Sequence, residues 1–288
     1  MILAIGELLV DLISSEVISD LSETKSFNLK TGGSCGNFAI FCKKQGTPLT
    51  LIAAVGNDGF GKTILNSLQS DGVNIDYVFQ HLCLETSVII VGKSHNTPDF
   101  IPYRNADFNI DVIPENLIKE SEIIHTTAFA LSREPAQTNI FNALVYANNA
   151  GKTISVDWNY ALNIWGHDNN AQDVFEKIIK MKPLLKVSMD DADRFWEAEN
   201  NIENAKKILE RFVTKATCLT CGENGVWYRI ENEEWKYKPV LPTNVIDVTG
   251  AGDAFWSGFV SSYIKNETVD SCIDNALFMA KQRLEQKI

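Results

Sequence analysis

Positive charge, histidine and paired cysteine are all scarce in this 288-residue chain. Lys and Arg number 26 against 37 Asp and Glu, a formal net charge of −11. No basic run interrupts that excess, so a phosphate backbone would be repelled and nucleic acid is not an expected partner. No apolar run is long enough to cross a bilayer, so no membrane is expected either. The opening MILAIGELLVDLI carries Glu7 and Asp11 and has no basic segment before it, so it reads as a buried strand and not as a signal peptide. His81, His95, His125 and His167 lack ligand spacing and read as surface or satisfied core residues. The six cysteines are scattered. Cys218 and Cys221 do form a C-x-x-C, but within ATCLTCG, a strand entering a turn, and no second ligand pair accompanies them. Free thiols in a reduced cytoplasm are expected. Trp196 and Trp227 read as packing residues. No repeat, low-complexity segment or linker divides the chain, so residues 1–288 read as a single domain.

What is present is an alternation. The stretches ILAIG, LTLIAAV, EIIHTTA, TISVDW, LLKVS, TCLTCG and GVWYRI read as short apolar strands, with amphipathic helical stretches between most of them. In AKKILERFV, for example, Ala205, Ile208, Leu209 and Phe212 share one helix face. Strand and helix in turn predict an α/β fold, a mostly parallel sheet with helices on both faces. Ligands of such sheets sit at the carboxyl ends of the strands. Residues 12–31 and 84–106 break the alternation. They read together as a small β-layer, a candidate lid, with a turn near Asn96 and Pro98.

Two glycine-rich turns compete for a phosphate. The first, GNDGFGKT at residues 56–63, matches G-x-x-x-x-G-K-[ST] between a strand and a helix. Against it stands Asp58, whose carboxylate would repel a phosphate inside the loop. No convincing metal-binding strand accompanies it; Asp157 in TISVDW is a loose candidate. The second is NVIDVTGAGDAFWSGFV, residues 244–260. Gly250, Ala251 and Gly252 precede a helical pattern and leave backbone N–H groups free for an anion. Asp253 sits in the first turn. It reads equally as a favourable helix-start acid or as a base that accepts a proton from an attacking hydroxyl.

DVTGAGDAFWSGFV resembles the C-terminal signature of the ribokinase-like (PfkB) carbohydrate kinases, D-[TV]-x-G-A-G-D-x-F, and the resemblance runs along nearly the whole chain. GELLVDL resembles the family's first strand, TGGSCGNFAIFCKKQG its G-G-x-x-x-N-x-A segment, and VGNDGFGKTILNSLQSDGVNIDYV a block that is structural there. The resemblance implies a three-layer ribokinase-like fold with a β-strand lid. It also implies transfer of the γ-phosphoryl group of ATP, with Mg²⁺ and, as a further candidate cofactor, a monovalent cation such as K⁺. It makes Asp253 the base and Gly250, Ala251 and Gly252 the anion hole. It puts Asp11, Gly32, Gly33, Asn37, Asp157 and Asn159 at the sugar. Asp247 opens the motif, and TCGENG resembles the family's nucleotide turn through Thr220, Gly222 and Gly225. Asn275 is implied near the adenine.

The finer assignments follow the bacterial fructokinase branch. Lys186 and Ser188 match its K-V-S. Asp191 stands where a Glu organises magnesium through water. YRNAD resembles R-x-A-D, which sends Arg104 from the lid towards the sugar or the phosphates. VDWNYALNIW resembles D-x-N-x-R-x-x-x-W, but Tyr160 and Ala161 occupy the region of the usual Arg. Fructose is the first acceptor on this reading and 2-keto-3-deoxygluconate the second. The family usually carries a longer segment after Asp253, so a partly open adenine pocket is expected. A homodimer through the lid is also expected. A P-loop NTPase and a non-catalytic sugar- or nucleotide-binding relative are the alternatives.

Overall fold

The computed structural model describes residues 1–93, 100–167 and 169–288; the turn expected at Asn96 and Pro98 lies outside them. In chain order, β1 (Ile2–Ile5), β2 (Leu9–Ser14) and β3 (Phe27–Gly32) lead into α1 (Ser34–Lys44), β4 (Leu49–Gly56) and α2 (Gly59–Ser70). Then come β5 (Val78–His81), β6 (Val88–Val91), β7 (Phe100–Tyr103), α3 (Glu115–Glu120), β8 (Ile123–Thr127), α4 (Ala136–Asn149) and β9 (Thr153–Asp157). The rest are α5 (Leu162–Trp165), α6 (Ala171–Ile179), β10 (Leu184–Ser188), α7 (Met189–Trp196), α8 (Ile202–Leu209), β11 (Ala216–Thr220), β12 (Val226–Ile230), β13 (Lys236–Lys238), α9 (Ala251–Tyr263) and α10 (Val269–Leu284).

All seven strands read from the sequence are present. Those at the centre are buried on both faces because helices cover both; every residue of β1 and β8 is buried, including His125, Thr126 and Thr127 at the end of β8. Nine strands form the main sheet, in the order β13-β12-β11-β10-β9-β8-β1-β4-β5. It is parallel from β11 to β5, and β12 and β13 are antiparallel additions. One apolar layer joins α4, α6, α7 and α8 to one face; the other joins α1, α2, α9 and α10 to the opposite face. Trp158, Phe175, Phe195, Trp196 and Phe212 pack edge to face in the first layer. The strand β5 was not read from the sequence. It is a short edge strand whose VFQH is half exposed and carries no alternation.

Strand order reverses at β1, with β4 on one side and β8 on the other. Such a switch point opens a crevice at the carboxyl ends of the strands. Facing it is a second, four-stranded sheet in the order β3-β2-β6-β7. Its strands come from the two segments that broke the alternation, but β2 begins at Leu9 and β3 ends at Gly32, beyond the 12–31 bounds.

The turn GNDGFGKT has the strand–turn–helix form of a phosphate loop but not its open donors. Asp58 caps α2. Its carboxylate accepts from the Gly61 N–H (2.8 Å), the Thr86 N–H (2.7 Å) and the Thr86 hydroxyl (2.8 Å). Those bonds outweigh its partial burial and hold the carboxyl below its usual range. The carboxylate therefore takes up donors that a phosphate would use, and Lys62 is exposed. Asp58→Ala should lower unfolding stability by about 1–2 kcal/mol in urea titration, while Lys62→Ala should leave the midpoint unchanged. A neutral Asp58→Ala would contradict this role for the carboxylate.

Candidate active site

Two helix starts converge at the switch point. Glu7, two residues after β1, is fully buried. It accepts from the Ser34 N–H (2.7 Å) at the start of α1 and from the Thr127 hydroxyl (2.7 Å) at the end of β8. Burial pushes its carboxyl up to about 7, against the Thr127 bond, and the Asp253 charge adds to the rise. Gly33 has φ 100°, and a Cβ there would lie 2.5 Å from the Glu7 carbonyl oxygen. A Cβ on Gly32 would collide with the Asp11 carboxylate. The glycine pair thus lets β2 and the start of α1 close on each other. Asp11 sits at about 6, raised by burial and the Asp253 charge and eased by Lys30.

The second start is that of α9. Gly250 precedes it in the left-handed conformation, φ 76°. Asp253, in its first turn, is buried, and the Asn37 side-chain amide donates to its Oδ2 at 2.8 Å. Burial raises its carboxyl to about 6; the Asp157 charge adds, and Asn37, Lys186 and Ser34 work against it. Asn37 and Asp253, two candidate residues from separate motifs, therefore meet in one hydrogen bond across 216 residues.

Positive charge reaches the α9 start from two sides. Lys186 Nζ donates to both Asp157 oxygens, at 2.8 and 2.9 Å, and would stand 3.1 Å from a Cβ on Gly252. Burial alone would lower its pKa, but the Asp157, Asp191 and Asp253 charges hold it above the ordinary lysine value. On the other side Asp247 accepts from Lys30 of β3 (2.8 Å), from Arg283 near the end of α10 (3.0 Å) and from the Thr249 N–H (3.0 Å). These bonds overcome its burial and hold the carboxyl far below the usual range. The Arg283 Nε would lie 3.5 Å from a Cβ on Gly250.

A cavity of about 580 Å³ spans these groups. Glu7, Asp11, Asn37, Gly250, Gly252 and Asp253 line it, together with Gly33. The small sheet contributes Ile89, Val91 and Phe100 to its lining, and Leu162, Asn163 and Arg194 line it as well.

Several residues expected at the ligands are engaged elsewhere. The Arg104 side chain is fully buried and bonds Asp107 (2.6 and 3.0 Å) and Ser132 (2.5 Å). It has left the cavity because Asp107 neutralises it in the interior. Asn275 donates to Gln45 and to the Gly258 carbonyl, both at 2.9 Å, and so ties α10 to α1 and α9. Asn159 braces the loop behind the site, donating to Ser34 Oγ (2.9 Å) and accepting from the Phe129 N–H (3.1 Å). Asp191 forms a capping box with Ser188, which uses its Oδ2. Thr220 pairs in register with Ser188 on the neighbouring strand, and Gly222 and Gly225 shape the turn beyond it. These three lie on the same sheet edge but do not line the cavity.

The pfkB family carbohydrate kinase pattern matches residues 1–287. The chain belongs to this family. It is 32% identical over 285 residues to an ATP-dependent 6-phosphofructokinase of Thermoanaerobacterium thermosaccharolyticum, covering 98% of this chain and 87% of that protein. Its fold is similar to that of a Halothermothrix orenii fructokinase, with a TM-score of 0.87, 31% identity and 97% of each chain covered. A sugar kinase of Pyrococcus horikoshii solved with ATP gives a TM-score of 0.86 at 26% identity, over 99% of this chain and 92% of that one. The fold is the ribokinase-like one.

Sequence reasoning passed over Glu7, Arg194 and Arg283 in this kinase. Glu7 had a signal, an acid two residues after a buried strand. The arginines had none, because each lies in a charged helical stretch like any solvated face.

Because the folded pKa of Asp253 is raised, its carboxylate destabilises the fold as pH climbs from about 4 through 6. At pH 7 the cost is about 2–3 kcal/mol. Asp253→Asn should therefore be more stable than the parent at pH 7, and the gap should close by pH 4. Equal unfolding midpoints at pH 7 would contradict a strained carboxylate.

Proposed function

We propose that this sugar kinase transfers the γ-phosphoryl group of ATP to a primary hydroxyl of a small ketose. Fructose is the first acceptor, and 2-keto-3-deoxygluconate is the second. The observation that carries the reading is the buried Asp253 carboxylate, held by Asn37 beside the Gly250–Gly252 turn in a cavity that also contains Asp11. On this reading Asp11 and Asn37 hold sugar hydroxyls, and Asp253 takes the proton of the attacking one. The free N–H groups at the start of α9, with Lys186 beneath Gly252, balance the charge on the transferring group. Mg²⁺ arrives with the nucleotide. Such an ion is held chiefly by phosphates and water. Asp191 has one oxygen left for such a water. Asp247 already carries two cationic side chains, which argues against a K⁺ site at that carboxylate.

On this proposal residues 1–288 form one kinase domain, with the four-stranded sheet as its lid. Exposed Phe27, Leu29 and Tyr103 on that sheet support a homodimer through the lid. Light scattering should then give twice the 32.1 kDa chain mass; a monomer at micromolar concentration would remove the idea.

The test is ADP production from Mg·ATP with fructose, fructose 6-phosphate, 2-keto-3-deoxygluconate, ribose and adenosine. Fructose 6-phosphate enters because one relative is named for it. Asp253→Asn should lower kcat by 10³-fold or more and Lys62→Ala should spare it, the former within the range of lost base and electrostatic contributions. The acid limb of kcat/KM, which reports the free enzyme, should fall near pH 6, where Asp253 becomes protonated. Loss with Lys62→Ala would revive the P-loop reading. Sugar-dependent stabilisation without ADP would mean a non-catalytic relative.

A further inference from the structure

The charges around the cavity are uneven. Three carboxylates line it, Glu7, Asp11 and Asp253, and among the described residues the one cationic side chain that does so is Arg194. It comes from α7, in the helical layer opposite α1 and α9. Much of the cavity wall is apolar: Ala161, Leu162, Ile164 and Phe129 offer a ligand no side-chain hydrogen bond, and Asn163 is a polar exception. An acceptor held at one end by Asp11, Asn37 and Asp253 would present its other polar groups to that wall. There it needs a partner, because a desolvated polar group without one is costly.

Arg194 is free to serve. Its nearest carboxylates are on its own helix, Asp190 at 3.9 Å and Asp191 at 3.8 Å, both beyond hydrogen-bond reach. Its side chain keeps 41% exposure. Arg104 is the contrast: its guanidinium is held by Asp107 and Ser132, and it does not line the cavity. A guanidinium fork beside an apolar wall matches a phosphate or carboxylate far better than a hydroxyl.

We infer that Arg194 reads the charge of the acceptor, making this kinase selective for a ketose or keto-sugar that carries an anionic group away from the attacked hydroxyl. The inference rests on the sugar-kinase reading above and narrows its substrate class. A phosphate ester and a sugar acid share the chemistry; fructose 6-phosphate and 2-keto-3-deoxygluconate separate them.

The experiment compares kcat/KM for fructose with that for each anion, at saturating Mg·ATP, in the parent, Arg194→Gln and Arg194→Lys. The parent should prefer one anion over fructose by tenfold or more. Arg194→Gln should collapse that ratio at least tenfold, chiefly through KM, and Arg194→Lys should restore part of it. Calorimetric binding of the same three sugars without nucleotide reads the same preference when turnover is absent. A failed kinase reading and a failed charge reading are therefore distinguishable. A parent that prefers fructose would overturn the inference. So would an Arg194→Gln that raises the KM of ATP and slows every acceptor alike, since the guanidinium would then serve the nucleotide. Unchanged unfolding midpoints in both variants establish that the changed ratio is not a folding defect.

Discussion

The site depends on keeping several carboxylates buried within reach of one another. Glu7, Asp11 and Asp253 would each ionise far more readily in water; burial raises all three, the Asp253 charge adds to the rise of Glu7 and Asp11, and Asp157 adds to that of Asp253. The fold tolerates them because two helix starts, α1 and α9, point at the same place. Backbone donors at those starts supply partial positive charge without adding a side chain. Glu7 uses the α1 start outright through the Ser34 N–H. Asp253 is left with a weaker neutral donor, the Asn37 amide. That difference leaves Asp253 available for proton transfer in the proposed reaction and Glu7 committed to structure.

Counter-charge is distributed the same way. Lys186 is buried against Asp157 and cannot leave, so it acts as a fixed charge under the Gly250–Gly252 turn. Lys30 and Arg283 meet on Asp247 and fasten the small sheet, the turn and α10 together. The Ile246 N–H adds a backbone bond to the Leu284 carbonyl at 2.9 Å. The turn that would hold a phosphoryl group is therefore braced from three directions before any ligand arrives. Such preorganisation is what electrostatic catalysis requires.

Most of the fold was legible because central parallel strands are continuous apolar runs and their helices carry a clear period. The edge strands β5 and β13 and the short α3 were missed, since exposure removes the pattern that reading depends on. At the site, residues inside long motifs are brought together by the fold: Asp11, Gly33, Asn37 and the α9 start share one cavity. Side chains on long flexible stems were less legible. Arg104 went inward to Asp107, a partner three residues away whose burial no local pattern announces. Asn275 was spent on helix packing. Arg194 came from a helix whose charged residues look solvated in the sequence.

Asp58 and Asp253 show why local sequence leaves such questions open. Each is an acid at the start of a helix in a glycine-rich turn after an apolar stretch. Asp58 receives three donors from its own turn and from Thr86, and its carboxyl is held low. Such a group is satisfied, and an incoming phosphate would have to displace it. Asp253 is enclosed, receives one amide and stands near other acids, and its carboxyl is held high. Such a group gains by accepting a proton. The distinction lies in which donors the rest of the chain brings to each carboxylate. Thr86 and Asn37 are separated from their acids by 28 and 216 residues. A motif that spans eight residues contains neither partner, so the reactive acid is distinguished from the structural one only after folding has delivered them.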